Sequence, residues 1–282
     1  MKFKFDHDLH LHSYLSLCSE DPLHTNERIL QYAKDRGLHT VCLTNHFWDE
    51  KVAGCGGYGY EIQNFPYICQ GRPVPKDSEV KFLFGCETEL NKDFTLGVSK
   101  ERMNEFDFII VPTTHLHFRN FTLDEKDDNA KGRAKAWVDR LDAVLNMDLP
   151  FHKTGIAHLT CGLTAAFMFD TSFDRNARLL EIFSLIPQED MDRLFKKAAK
   201  VGVGIEIHSS CMSAIYDQKS KADQEILLRP YRIAKENKCK FYCGTDAHKV
   251  CEQVKPDVFD KAIDMLGLEE TDKFDIASLG CK

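Results

Sequence analysis

The chain has 282 residues and a formal net charge of −7, from 44 acidic against 37 basic side chains. That balance argues against nucleic acid as a major partner, because a phosphate backbone calls for a basic footprint. Hydrophobic residues at 43% and charged residues at 29% are those of an ordinary globular chain, and no run approaches the ~18 apolar residues of a membrane span.

The N-terminus, Met1-Lys2-Phe3-Lys4-Phe5-Asp6, has a basic start but no apolar signal core, so a cytoplasmic location is expected. The 11 cysteines have no framework spacing and fit mostly buried thiols of a reducing compartment. A strand is expected over 2–9, ending in Asp8-Leu9-His10-Leu11-His12-Ser13. A helix follows at 26–36, then a strand at 40–43. From 47 to 78 runs an irregular stretch rich in Gly, Tyr and Pro, whose length suggests a lid over an active site. It contains Gly54-x-Gly56-x-x-Gly59, but no strand feeds that motif and no helix opens from it, so a dinucleotide fingerprint is rejected. Strands are expected at 80–86 and 106–111, a helix at 134–146, and a strand at 155–157. The stretch after His158 reads as loop-rich. A helix at 189–201, a strand at 203–207, a helix at 221–236, a strand at 240–243 and a helix at 257–266 complete the pattern. Cys42, Cys86 and Cys243 fall in strand-like runs and are expected in the core. Strands alternating with helices imply a parallel sheet. Seven strands without a domain break point to one domain over 1–282, an α/β barrel before an open doubly wound sheet.

Residues two apart on a strand share a face, so His10 and His12 can aim at one ion, with Asp8 close by. Alone they could be two hydrogen-bonded histidines at a strand end. They are not alone. His46, Glu87, His115 and His158 follow the next four strands, Glu206 and His208 end the sixth, and Asp246 and His248 follow the seventh. These positions recur roughly every 30 to 50 residues, about one strand-plus-helix unit. Parallel barrels gather their chemistry where strands end, so the scattered residues would converge. Imidazole with carboxylate suits Zn, Mn, Fe or Co, and the ligands are too many for one ion, which implies two or three.

At these residues the chain resembles the PHP (polymerase and histidinol phosphatase) family of metal-dependent phosphoesterases, and within it the stand-alone histidinol-phosphatase-like members. The resemblance implies a distorted (β/α)7 barrel. It also implies that His10, His12, Glu87 and Asp246 hold one ion, that Glu87 bridges to a second held by His115 and His158, and that His46 and His248 help hold a third. Family members usually carry a further ligand-bearing turn after the first motif, where this chain has Ser16-Leu17-Cys18. Leu17 cannot coordinate; Cys18 is either a thiolate ligand of the third ion or a plain buried thiol. The family's segment matching Glu206 and His208 is generally not in direct contact with metal, which suits these two to supporting or substrate contacts. His117 is expected beside the ligands or at the surface, and His7, His24, His39 and His152 have no motif support.

The expected activity is phosphomonoester hydrolysis, with metal-bound hydroxide attacking phosphorus and Glu87, Asp246 and His248 as catalytic groups. Arg119 and Lys249, just after ligand positions, and Arg175, in the loop-rich segment after His158, are candidates for binding substrate phosphate. The substrate is expected to be a small phosphate ester, L-histidinol phosphate by resemblance, which would place the chain in histidine biosynthesis. A nucleotide or sugar phosphate is the nearest alternative. A C–N hydrolase on a related barrel and a non-catalytic metal-binding barrel are the others. No membrane partner is expected, and the assembly state is left open.

Overall fold

A computed structural model describes residues 1–166, 174–252 and 257–281. Its strands are β1 (His7–Leu11), β2 (Thr40–Leu43), β3 (His46–Phe47), β4 (Lys81–Phe84), β5 (Cys86–Thr88), β6 (Ile109–Val111), β7 (Thr154–Ile156), β8 (Gly204–His208) and β9 (Lys240–Gly244). All strand pairings are parallel, in the orders β1-β2-β4 and β3-β5-β6-β7-β8-β9. β2 and β3 are one pass of the chain interrupted at Thr44-Asn45, and β4 and β5 one pass interrupted at Gly85. Glycine is required at Gly85 because a Cβ there would lie 2.4 Å from the carbonyl oxygen of Phe108. β9 comes back beside β1, where Asp246 N–H donates to His10 O (2.8 Å) and His12 N–H to Ala247 O (3.0 Å). The neighbour relations therefore run in a ring of seven passes, the order expected of a distorted barrel.

The helices are α1 (Asn26–Asp35), α2 (Phe65–Ile68), α3 (Lys100–Met103), α4 (Ala130–Leu145), α5 (Arg175–Leu185), α6 (Gln188–Val201), α7 (Ser209–Tyr216), α8 (Lys221–Glu236) and α9 (Asp257–Leu266). Thr25, Asn129, Asp174 and Ser220 cap α1, α4, α5 and α8 by accepting a backbone N–H of the first turn. Among the described residues no helix is long and apolar enough to cross a membrane.

The first strand differs from the expectation. Residues 2–6 alternate like a strand, but Lys2 pairs with Glu269 and Phe5 stacks on Phe259 at 4.2 Å. The parallel ladder begins only where His7 meets Thr40. His10 is thus inside β1 and His12 one residue past it. Asp174 caps α5, so Arg175 opens a helix rather than lying in a loop.

Two apolar layers flank the ring. The larger lies between strands and helices and includes Cys86 and Cys243. The smaller joins Leu9, Cys42, Leu83, Phe108, Ile110, Ala157 and Tyr242 to Phe274, Ile276 and Leu279. That last segment packs where strands begin: Phe274 N–H donates to Phe241 O, and Lys81 Nζ reaches Ala277 O at 3.3 Å. The opposite end, where strands finish, collects the polar groups.

Candidate metal centre

Four residues from three passes of the ring meet at one point. His10 Nε2 lies 3.3 Å from His12 Nε2, 3.4 Å from Glu87 Oε2 and 3.3 Å from Asp246 Oδ1. His12 Nε2 lies 3.3 Å from Glu87 Oε2 and 2.9 Å from Asp246 Oδ1. A tetrahedral cation with ligands ~2.1 Å away has ligand-to-ligand edges of ~3.4 Å, so these spacings are those of a coordination shell. The other oxygen of Glu87, Oε1, faces His158 Nε2 at 3.2 Å and His115 Nε2 at 3.9 Å. A third group joins His12, His46 and His248, whose rings crowd together with His12 4.0 Å from His248 and 4.5 Å from His46 between centroids.

The outward nitrogens of these rings settle where the inward lone pairs are. His10 Nδ1 donates to Glu206 Oε1 (2.8 Å), His115 Nδ1 to Glu89 Oε2 (2.7 Å) and His248 Nδ1 to the carbonyl of Asp246 (2.8 Å). Ser16 Oγ gives its proton to Asn45 and so accepts from His12 Nδ1 (2.8 Å). Thr114 Oγ1 gives its proton to the carbonyl of His158 and accepts from that ring's Nδ1 (2.7 Å). A neutral imidazole with its proton on Nδ1 presents a bare lone pair at Nε2. Five such lone pairs point at a carboxylate-lined centre, and Glu87 Oε2 and Asp246 Oδ1 are themselves buried without a well-aligned donor. Lone pairs facing lone pairs repel unless a proton or a cation lies between them. The residues present therefore fit divalent ions, and the partners behind each imidazole are those that commonly orient metal-bound histidine.

Electrostatics agrees. Burial, the largest influence, pushes the carboxyls of Glu87 and Asp246 up, but His10 with His46 and His10 with His248 respectively hold them well below the usual range. Burial works downward on His10, yet Asp246, Glu206 and Glu87 raise it well above an ordinary histidine. His158, also opposed by burial, is raised to about 9, chiefly by its bond to Glu87. His12, by contrast, falls to about 4 through burial and the neighbouring His248 and His46. Cations compete with protons for such sites.

The PHP domain family matches residues 8–210 of the chain.

The chain belongs to the PHP family.

No curated protein matches it. Among solved structures it is similar to the histidinol phosphate phosphatase of Lactococcus lactis subsp. lactis Il1403 complexed with zinc, L-histidinol and phosphate. There the TM-score is 0.53 with 16% identity, over 96% of this chain and 98% of the other. It is also similar to a protein from Listeria monocytogenes described as a candidate histidinol phosphatase, with a TM-score of 0.60 and 15% identity over 87% and 96% of the two chains. At these identities the likeness is one of fold.

Within this PHP chain the backbone itself is bent to serve the centre. His158 and Asp246 both take positive φ, 32° and 56°, which for non-glycine residues is strain of about 1–3 kcal/mol each, concentrated where function is. Glu206 holds the first of these turns by accepting the N–H of His158 at 2.6 Å, and the carbonyl of His10 holds the second. Gly244 beside them has no room for a side chain: a Cβ would stand 2.0 Å from Glu206 Oε1 and 2.6 Å from His10 Cβ.

Other expected residues fall into two groups. Asp8 shares the face of His10, but it accepts from Thr245 N–H and Oγ1, His10 N–H and Tyr32 OH. It pins β9 to β1 instead of facing the cluster. Glu206 stands behind His10 and His158. His117 lies against His115, 5.0 Å between ring centroids, and is buried. Arg119 pairs with Glu125 (3.0 Å) and Lys249 with Glu20 (2.8 Å); Arg175 has its Cδ beside Gly162, in the turn after His158. Cys18 is exposed as a residue, yet its sulfur is turned toward His46 and His248: burial works upward on the thiol, and these two histidines bring it down to about 6. The stretch 47–78 reaches the centre through Tyr60, whose hydroxyl lies 3.3 Å from Glu89 Oε2 and 3.5 Å from His46 Nδ1. It is packed there by Trp48, Phe118 and Phe121.

Sequence reasoning missed Glu89. It lies buried two residues past Glu87, ties His115 to Arg140 (3.2 Å), and burial raises its carboxyl to about 8 against the pull of Arg140. The signal was present: Cys86-Glu87-Thr88-Glu89-Leu90 puts two acids on one face of an apolar strand.

Proposed function

We propose that this chain is a metal-dependent phosphomonoesterase acting on a small phosphate ester, with L-histidinol phosphate the first candidate. The observation that carries the proposal is Glu87, whose two oxygens belong to two different ligand groups. His10, His12, Glu87 and Asp246 would hold one ion, Glu87, His115 and His158 a second, and His46 and His248 would help hold a third, with the Cys18 thiolate beside them. Divalent ions so placed would polarise phosphoryl oxygens and lower the pKa of water toward neutrality.

The residues of the chain do the rest. Glu206, Glu89, Ser16 and Thr114 fix the imidazoles, so the reacting groups need not reorganise as charge builds on the phosphoryl oxygens. Asp246 and His248 sit at the margin of the cluster and are the groups suited to move a proton. Glu87 occupies the bridging position that a carboxylated lysine fills in amidohydrolase barrels, which favours phosphoester over C–N hydrolysis. The similarity to a phosphatase complexed with L-histidinol and phosphate supports the choice of first substrate, and the net charge of −7 supports small esters over nucleic acid.

The test is release of inorganic phosphate from a panel of small phosphomonoesters, L-histidinol phosphate, nucleoside monophosphates and sugar phosphates among them, by metal-analysed protein. Single-stranded DNA runs alongside. Turnover of at least one small ester, abolished by chelator and restored by metal, is expected. Degradation of DNA without phosphate release from any small ester would overturn the proposal.

A further inference from the structure

His208 touches this centre and carries its proton on the opposite nitrogen from the five rings that present Nε2 to it. It caps α7, accepting the backbone N–H of Cys211 on Nδ1 at 3.2 Å. A backbone amide can only donate, so Nδ1 supplies a lone pair and the neutral ring has its hydrogen on Nε2. That Nε2–H cannot bind a cation. It is buried, has no well-aligned hydrogen-bond partner among the described residues, and lies 3.5 Å from Asp246 Oδ2. The ring stands 5.4 Å from His158 and 6.2 Å from His10, centroid to centroid. Asp246 Oδ2 is its nearest acceptor, and a buried donor without a well-aligned acceptor costs free energy; the cap needs only Nδ1, so capping alone does not account for a histidine here.

We propose that His208 donates its Nε2–H to a phosphoryl oxygen of the substrate, a contact that rests on the phosphatase function proposed above. The acceptor would be an anionic oxygen in a dry setting, where one hydrogen bond from a preorganised donor is strongest. Phosphoryl oxygens gain negative charge toward the transition state, so the contact would strengthen as reaction proceeds.

The substitution His208→Asn separates the two nitrogens. Asparagine is among the best N-cap residues and its side-chain oxygen can replace Nδ1, while nothing replaces Nε2–H. Wild type and variant, loaded with the same metal and analysed for it, are titrated with inorganic phosphate by calorimetry and assayed with a chromogenic phosphomonoester. The inference predicts equal metal content, phosphate affinity weakened roughly 10-fold or more, and kcat lower by on the order of 10²-fold. In the wild type, nitrogen-15 NMR should show the His208 Nε2–H resonance moving downfield on addition of phosphate, a readout that needs no variant. Loss of metal from His208→Asn would mean that His208 serves the ions through Asp246, and would overturn the inference. Unchanged phosphate affinity, or an unmoved Nε2–H resonance in phosphate-bound wild type, would also overturn it while leaving the phosphatase reading intact. Failure of the metal-loaded wild type to bind phosphate or hydrolyse any ester would overturn both.

Discussion

Arg140 offers a quantitative test of how the centre is supported. It is buried in α4 and spends its guanidinium on Thr113 O (2.8 Å), Thr122 O (3.1 Å), Pro112 O (3.3 Å), Asn91 O (3.5 Å) and Glu89 Oε1 (3.2 Å). Arg140→Met keeps much of the side-chain volume and removes all five bonds. Glu89 is then left as a buried acid without its cation, and four carbonyls lose their donor. Above pH 8, where Glu89 is ionised, breaking this buried ion pair from one side costs about 3–5 kcal/mol. With an unfolding entropy of roughly 2.1 cal/mol/K per residue, a chain of this length loses ~7 °C of Tm for ~4 kcal/mol. The double variant Glu89→Gln, Arg140→Met has no orphaned charge. It should be more stable than the sum of the two single effects by ~1–2 kcal/mol, the coupling expected of groups in contact. The assay is thermal denaturation by circular dichroism with chelator present, so that metal binding does not shift the transition. A Tm for Arg140→Met within ~2 °C of wild type, or additive effects in the double variant, would refute the reasoning.

Further outcomes are expected. Glu206→Gln keeps the size of the side chain but turns an amide N–H toward the donors His10 Nδ1 or His158 N–H, so metal affinity should fall by about 10–100-fold, read by competition with a chromophoric chelator; unchanged affinity would remove Glu206 from its supporting role. Cys18 should alkylate with iodoacetamide faster than Cys281 at pH 7 in chelated protein, because contact with His46 and His248 brings its thiol to about 6, and reloading with metal should protect it if it ligates; peptide mass spectrometry reads both, and equal rates in both states would assign Cys18 no part in the centre. Asp6 tests a pH dependence away from the site. Burial works upward on its carboxyl, but His7 and Lys273 bring it down to about 2. A carboxyl depressed in the folded state stabilises above its unfolded pKa near 4 and loses that contribution as pH falls toward 2. Asp6→Asn should therefore lower urea stability at pH 6, with the deficit narrowing by pH 3; a deficit independent of pH would contradict the assignment.

The strand-end periodicity made the ring of ligands legible before any coordinates, because the positions after parallel strands must converge on one rim. His46 and Glu87 illustrate it: they lie 41 positions apart by number and face each other in register across β3 and β5. The groups behind the ligands were less legible. Ser16 and Thr114 are ordinary hydroxyls whose role depends on which proton each has already given away, and no spacing encodes that. α5 and α7 were missed for a different reason. α7 is eight residues long and apolar on most sides, so its pattern is not periodic, and its cap is a histidine rather than Ser, Thr, Asn or Asp. α5 starts at a single capping acid, Asp174. Phe3 and Phe5 misled in the opposite direction, alternating like a strand while packing on the C-terminal part of the chain.

Elemental analysis of protein purified without chelator, for wild type and Glu87→Gln side by side, tests the account most directly. Gln keeps the shape of Glu87 but has one neutral oxygen in place of a bridging carboxylate, while the apolar layers that hold the ring are untouched. The account predicts at least two transition-metal ions per wild-type chain, and a folded Glu87→Gln variant depleted in the two ions that share Glu87. Fewer than one ion in the wild type, or full metal content in the variant, would contradict it.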